Sequence, residues 1–333
     1  MNRNLVVVTG GAGFIGSNVV AELSRERGYE VVVVDRLREA STGKWRNIAK
    51  SPIADFVAPD ALFDYLQDRW REVCAIVHMG AVSSTTEPDA DKIVHANFTL
   101  SRDLWRFATD RQVRLIWASS AATYGDGSLG FDGKDDLSTL KALRPLNAYG
   151  WSKALFDLHA RKAVDAGYAP PQWAGLKFFN VYGPNEGHKG GMKSVAAQIW
   201  PKVAAGERVT LFKSHRPDYA DGGQLRDFVY VQDAVNVIAW LLENESVSGV
   251  YNLGSGEARS FADMASAVFR AAGREPAIDY RDMPEEIRDK YQYFTQADMS
   301  RLYAAGYDRP MTRLEDGINE YVTRYLSQDD PYR

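Results

Sequence analysis

A chain of 333 residues, 45% hydrophobic and 25% charged, has the make-up of a soluble globular protein with room for one large domain or two small ones. A net charge of -4 argues against nucleic acid or an anionic membrane as the main partner, and a single cysteine, Cys74, excludes an internal disulfide framework. No apolar run approaches the ~20 residues that cross a bilayer, and the first residues lack a signal-peptide pattern, so a cytoplasmic location is expected.

Asn4-Leu5-Val6-Val7-Val8 is a short continuous apolar run, the pattern of a strand covered on both faces. A glycine-rich turn follows, then a helical pattern from Ser17 to Arg27 closed by Gly28, then a second buried strand, Tyr29 to Asp35. Strand, turn, helix and strand make a βαβ unit. Gly10, Gly13 and Gly16 allow a tight turn and close backbone approach to a pyrophosphate, and the helix N-terminus offers free N–H groups. The spacing is one residue longer than the usual fingerprint. Asp35 lies close to the ~20-residue distance at which an acid meets a ribose hydroxyl, so dinucleotide binding is expected.

Alternation continues with a strand at Val73–His78, a small-residue loop from Met79 to Thr86, a helix from about Asp91 to Ala108, and a strand at Val113–Ser120. Gly125–Arg144 reads as a polar surface loop. Pro145 and Asn147 open a helix carrying Tyr149 and Lys153, and Trp173–Asn180 reads as a further strand. Repeated alternation predicts an α/β fold, a doubly wound parallel (Rossmann) sheet with ligands at the carboxyl ends of its strands, where Gly80, Ser120 and Asn180 are expected. Beyond Asn180 come two turn-rich loops, Val181–Gly191 and His215–Leu225. A helix starting from Arg226–Val231 and a strand at Val250–Gly254 then return to the sheet. A mostly helical remainder with a strand near Ala277–Tyr280 completes the chain. The expected division is 1–180 plus about 227–254 for the dinucleotide, and about 181–226 plus 255–333 for a smaller, discontinuous, mainly α substrate domain.

Tyr149 and Lys153 stand four apart, on one helix face. A cation near a phenol favours the phenolate, which takes a proton from an alcohol provided something else takes the hydride. His78, His95 and His188 read as structural or surface residues, and no metal site is expected.

Together, Thr9–Gly16, Ser119-Ser120-Ala121-Ala122-Thr123-Tyr124-Gly125, Tyr149-x-x-x-Lys153 and Arg226-Asp227-Phe228-Val229-Tyr230-Val231 resemble the extended short-chain dehydrogenase/reductase family acting on nucleotide sugars. Three further stretches are similar to the members that invert C6 of an ADP-linked heptose for lipopolysaccharide: Ser83–Glu87, Phe179–Pro184 continuing into Glu186-Gly187-His188-Lys189-Gly190, and Tyr291–Asp298.

The resemblance implies transient oxidation to a 6-ketone and hydride return. Tyr149 and Lys189 are implied as acid/bases on the two sides, Ser120 as a hydrogen-bond partner of the reacting oxygen, and Lys153 as a ribose contact lowering the Tyr149 pKa. It places Phe14, Ile15, Asp35, Arg36, Lys44, Met79, Gly80, Ala81, Val82, Ser83, Asn97, Val181 and Lys189 at the cofactor. It places Ser83, Ser120, Asn180, Gly191, Gln198, Phe212, Lys213, Ser214, His215, Arg226 and Tyr291 at the ADP-sugar. Arg226 is the natural diphosphate partner. Gly191 and Gln198 stand where serine and histidine are expected, Ala96 stands where an asparagine is expected with Asn97 following, and Asp218–Gln224 lengthens the loop before Arg226.

Asp35 favours NAD by repelling a 2′-phosphate; Arg36, Arg38 and Lys44 counter it, and NADP is the expectation. The resemblance also implies a homo-oligomer such as a pentamer. Rivals are a 4-epimerase using NAD and a dinucleotide-sensing scaffold that has lost its chemistry. A 4,6-dehydratase needs an acid near Ser120, where Ala121-Ala122-Thr123 supplies none.

Overall fold

Valine-rich runs without polar alternation must be covered on both faces. They form the inner strands of a seven-stranded sheet in the computed structural model, which describes residues 3–288 and 291–333. The first half of the chain runs β1 (Leu5–Thr9), α1 (Phe14–Ala21), β2 (Glu30–Val34), β3 (Asp55–Val57), α2 (Leu62–Arg69), β4 (Val73–His78), α3 (Ala90–Val94), α4 (Leu100–Arg111), β5 (Arg114–Ser120), α5 (Leu137–Ala142) and α6 (Ala148–Asp165). The second half runs β6 (Trp173–Phe178), β7 (Asn180–Tyr182), α7 (Val195–Ala205), β8 (Val209–Phe212), β9 (Leu225–Tyr230), α8 (Val231–Glu243), β10 (Gly249–Leu253), β11 (Ala258–Ser260), α9 (Phe261–Ala271), β12 (Ile278–Arg281), α10 (Glu285–Arg288), α11 (Ser300–Ala304) and α12 (Leu314–Tyr321).

The large sheet has the order β10-β6-β5-β4-β1-β2-β3, with parallel neighbours throughout. This is the doubly wound α/β fold. Connections reverse direction between β1 and β4, and ligands of such sheets bind outside the carboxyl ends at that point. Val6 and Val8 pack into one hydrophobic core and Leu5 and Val7 into another, so β1 is closed on both faces. A third core gathers Ile199 and Val203 of α7, Phe228 of β9, Met264 and Val268 of α9 and Ile318 of α12. Phe14 packs in this third core although it opens α1, so the glycine turn lies where two cores meet.

Three local expectations change, and one stretch left unread acquires structure. Arg226–Val231 is not the start of a helix: β9 occupies Leu225–Tyr230, and α8 begins at the next residue, Val231, with no loop to mark the join. Asn180 does not end β6. The chain leaves the large sheet at Phe179, and Asn180 opens β7, which pairs with β9 (Asn180 opposite Phe228) in a three-stranded sheet completed by β11. Gly125–Arg144 is not all surface loop. Asp136 caps α5 by accepting from the Thr139 N–H at 3.0 Å, Leu140 and Leu143 are buried, and Asp135 accepts from the Val250 N–H at 3.0 Å. Finally, β3 and α2 fill the stretch between β2 and β4, where the sequence pattern is too short to read.

The last residues pack against the segments that follow β2 and α1. The Arg46 guanidinium lies 4.6 Å from the Tyr332 ring centroid, and Arg333 pairs with Glu22 at 3.0 Å. The Arg333 backbone N–H donates to Asn185, whose amide donates to Ser17 Oγ (3.0 Å) and Asn47 O (3.3 Å). Among the described residues no helix is long and apolar enough to cross a membrane.

Candidate active site

The glycine turn is built for close approach. A Cβ on Gly16 would lie 2.1 Å from the Gly10 carbonyl oxygen, so α1 could not start where it does with any side chain at that position. α1 has no side-chain cap and no acid in its first turn, which leaves its N-terminal N–H groups and positive dipole end available to an anion. Asp35 is buried behind the turn. Its carboxylate accepts from Ala12 N–H (2.9 Å), Arg36 N–H (2.7 Å) and Lys44 Nζ (2.6 Å), so the acid braces the loop while Lys44 balances its charge.

A cavity of about 750 Å³ opens in front of this turn. It is lined by Gly10, Gly13, Phe14, Ile15, Gly16, Asp35, Lys44, Met79, Gly80, Ala81, Val82 and Ser83, from the segments that follow β1, β2 and β4. Ser120, Tyr149, Lys153, Asn180, Val181 and Lys189 complete it. Its length of glycine backbone, its buried ribose-side acid and its polar far end fit a dinucleotide.

Two residues expected at the cofactor lie elsewhere. The Arg36 guanidinium reaches outward to Asp60 at 2.6 Å, and Arg38 lines the cavity instead. Asn97 is fully buried. It accepts from Val82 N–H (2.8 Å) and donates to Val82 O (3.0 Å) and Ser152 Oγ (3.0 Å), so it holds the loop that touches the cavity without lining it.

Tyr149 enters on the first turn of α6. Asn147 caps that helix through Gly150 N–H at 2.8 Å, and a Cβ on Gly150 would meet Ala122 O at 2.6 Å. This close packing brings the phenol to Ser120. Ser120 Oγ accepts from Ala122 N–H (3.1 Å), leaving its own proton to donate to Tyr149. Burial pushes the Tyr149 phenol up, and the Ser120 hydrogen bond opposes it. The Lys153 ammonium donates to Ala118 O at 2.7 Å; burial takes Lys153 down to about 8 while Asp157 opposes that.

Lys189 comes from the short helical segment Gly187–Met192. Its ammonium sits 5.0 Å from the Phe14 ring centroid, a cation–π contact. Burial pushes its pKa down, with the Glu186 carboxylate opposing. Glu186 anchors the segment: it accepts from Ser194 Oγ (2.6 Å) and from the Tyr321 hydroxyl (3.0 Å).

Two of the histidines that read as structural or surface residues sit at this site. His78 is buried between Thr9 Oγ1 (2.6 Å) and Ser101 Oγ (2.8 Å). Ser101 donates its proton to Asn97 O (2.7 Å), so His78 carries its proton on Nε2 and accepts at Nδ1 from Thr9. Burial holds His78 down to about 3, and this neutral ring ties the end of β1 to the end of β4. His188 lines the cavity beside Asn47 (3.1 Å), and burial with the nearby Lys44 and Lys189 charges takes it down to about 4. Thr42 and Met192 also line the cavity. A run of ordinary loop residues carries no sequence signal for that role.

At the far end, Arg226 is buried, with its guanidinium 5.6 Å from the Phe261 ring and 5.1 Å from the Tyr291 ring. Phe261 also lines the cavity, which joins this group to it. Tyr293 extends the array 5.7 Å from Tyr291 and accepts from the His215 N–H at 3.0 Å. Phe212, Lys213 and Ser214 lead into this corner from β8 but do not line the cavity itself; Lys213 O accepts from Gln224 and Ser214 N–H donates to Asp221. Gly191 and Gln198 lie outside the cavity: Gln198 donates to Gly191 O (3.2 Å) and Lys193 O (2.7 Å), fastening the Lys189 segment to α7.

The model of the NAD dependent epimerase/dehydratase family matches residues 6–254. The chain belongs to that family. Within it, the ADP-L-glycero-D-manno-heptose-6-epimerase of Nitratidesulfovibrio vulgaris strain Hildenborough is 50% identical over 331 residues, spanning 98% of this chain and all of the relative. The crystal structure of the Helicobacter pylori ADP-L-glycero-D-manno-heptose-6-epimerase superposes with a TM-score of 0.76 at 27% identity, covering 97% of this chain and 96% of that one. The Thermus thermophilus UDP-glucose 4-epimerase, in complex with NAD, gives 0.70 at 28% identity, covering 96% and 97%.

Proposed function

We propose that this epimerase-family chain inverts C6 of ADP-D-glycero-D-manno-heptose to give ADP-L-glycero-D-manno-heptose, supplying heptose for the lipopolysaccharide inner core. The observation that carries the proposal is that two proton-bearing side chains, Tyr149 of α6 and Lys189 of the 187–192 segment, reach one cavity with the glycine turn from separate parts of the chain. Full-length identity of 50% to a relative named for that reaction supports the choice of sugar. A nicotinamide dinucleotide bound on the glycine turn supplies the hydride chemistry.

The side chains do the rest. Tyr149 exchanges the proton of the reacting hydroxyl, and Ser120 donates a hydrogen bond to the same oxygen. Lys189 exchanges a proton with that oxygen when the other face of the sugar is presented, because inversion needs a proton donor on each side. Lys153 would hold the ribose of the dinucleotide, and the hydrophobic walls of Phe14, Val181 and Phe261 exclude water.

Arg226 is proposed to bind the diphosphate. Among the described residues no carboxylate pairs with its buried guanidinium, and a buried cation is costly until an anion completes it. Arg226→Leu should weaken substrate binding by about 2–5 kcal/mol, raising KM some ~30-fold or more with kcat unchanged. Steady-state kinetics with the ADP-sugar read this directly, and an unchanged KM would move the diphosphate elsewhere.

The dinucleotide is proposed to be NADP. Lys44 balances Asp35 at 2.6 Å and Arg38 adds a second cation at the cavity wall. Lys44→Ala should lower affinity for NADP by ~tenfold or more while sparing NAD, as loss of a charge-assisted hydrogen bond does. Titration with each nucleotide checks this. Equal loss for both would favour the second reading, NAD, to whose ribose hydroxyl a carboxylate such as Asp35 is suited. A cytoplasmic homo-oligomer is proposed, its subunit count being open to native mass spectrometry.

A further inference from the structure

We infer that the buried Lys177–Asp157 ion pair is a positioning element for the reaction, holding Ser120 and the Ser119–Tyr124 turn in the geometry Tyr149 requires. The inference rests on the proposed roles of Tyr149, Ser120 and Lys153. Tyr149, Lys153 and Asp157 follow one another at four-residue steps along one face of α6. Lys177 lies on β6 directly beside Ser119 of β5 in the sheet register.

Both side chains of the pair are 0% exposed, 2.8 Å apart. Desolvating two ions costs several kcal/mol each, and well-packed apolar residues in their place are often neutral or stabilising, so fold stability alone does not account for the pair. One of its contacts is to the core residue Trp117, and the others lead toward the site. Asp157 accepts from Ser119 Oγ (2.6 Å) and Trp117 Nε1 (3.1 Å). Lys177 donates to Thr123 Oγ1 (2.7 Å), and that hydroxyl donates to Ser120 O (2.8 Å). The chain of bonds therefore closes on the backbone of Ser120, from which Oγ reaches Tyr149. Asp157 also opposes the effect of burial on the Lys153 ammonium, one turn earlier on the helix. Lys177, Asp157 and Thr123 do not line the cavity whereas Ser119 and Ser120 do, so the pair acts through its partners and is not itself catalytic.

The test compares the parent chain with Asp157→Asn/Lys177→Met, which removes both charges together, and with Thr123→Val, which removes only the link to Ser120 O. For each, Tm, resident dinucleotide, kcat and KM are measured with ADP-D-glycero-D-manno-heptose. The expected result is a kcat lowered by about 10²-fold, the size of a roughly 1 Å misplacement, with KM within threefold and dinucleotide retained. Lys177→Arg, which can keep both contacts, should return kcat to within about tenfold of the parent. A double variant or a Thr123→Val variant that folds and turns over at the parent kcat overturns the inference. If the double variant does not fold, Thr123→Val decides alone. A parent chain that does not epimerise this sugar instead overturns the proposed function, and the inference falls with it.

Discussion

Tyr149→Phe should lower kcat for inversion at C6 by ~10²–10⁴-fold, the usual contribution of one positioned acid/base, while KM and the resident dinucleotide stay unchanged. The substitution removes one oxygen and keeps the ring. That ring is held by the Asn147 cap and by the close contact of Gly150 with Ala122 O, neither of which involves the hydroxyl. Ser120 loses an acceptor but keeps its bond from Ala122 N–H, so the turn survives. The effect therefore belongs to kcat. Steady-state kinetics combined with the absorbance of bound nucleotide would reveal it, and a variant turning over like the parent would remove Tyr149 from the chemistry.

Lys189→Met should abolish inversion to a similar degree, again with the dinucleotide retained. Methionine keeps most of the length and apolar contact on Phe14 but carries no proton. Burial has already weakened the hold of Lys189 on its proton, as an acid/base working near neutral pH requires, and Glu186 keeps the segment anchored in either variant. The two variants share one further expectation. If Tyr149 and Lys189 serve opposite faces, each single variant should block the overall inversion from both starting epimers, because each epimer needs both proton exchanges. A Lys189→Met variant that inverts at the parent rate would show that one acid/base serves both faces.

Much of this site is legible in the amino-acid sequence, for physical reasons. Gly10, Gly13, Gly16 and Asp35 are constrained by backbone approach, and Tyr149 with Lys153 by helix periodicity, so their spacing carries their geometry. Residues whose roles depend on long-range packing are not legible in this way. Arg36 and Arg38 are equally basic on paper, and only the Asp60 carboxylate 2.6 Å from Arg36 draws one of them away. Asn97 sits next to the right loop, yet Val82 and Ser152 satisfy its amide before a cofactor can. β9 and α8 abut without a turn residue, so the apolar strand reads as the start of the helix. Lys177 and Asp157 lie 20 residues apart in sequence and meet only when α6 packs back on the sheet over β6.

The central claim is that one hydride leaves C6 and returns to the same carbon from the other face. Substrate carrying deuterium at C6, turned over in ordinary water with added unlabelled dinucleotide and followed by mass spectrometry and NMR, tests it most directly. Deuterium retained at C6 of the inverted product is the predicted result. Deuterium appearing in the added dinucleotide, or replaced by solvent hydrogen in the product, would contradict it.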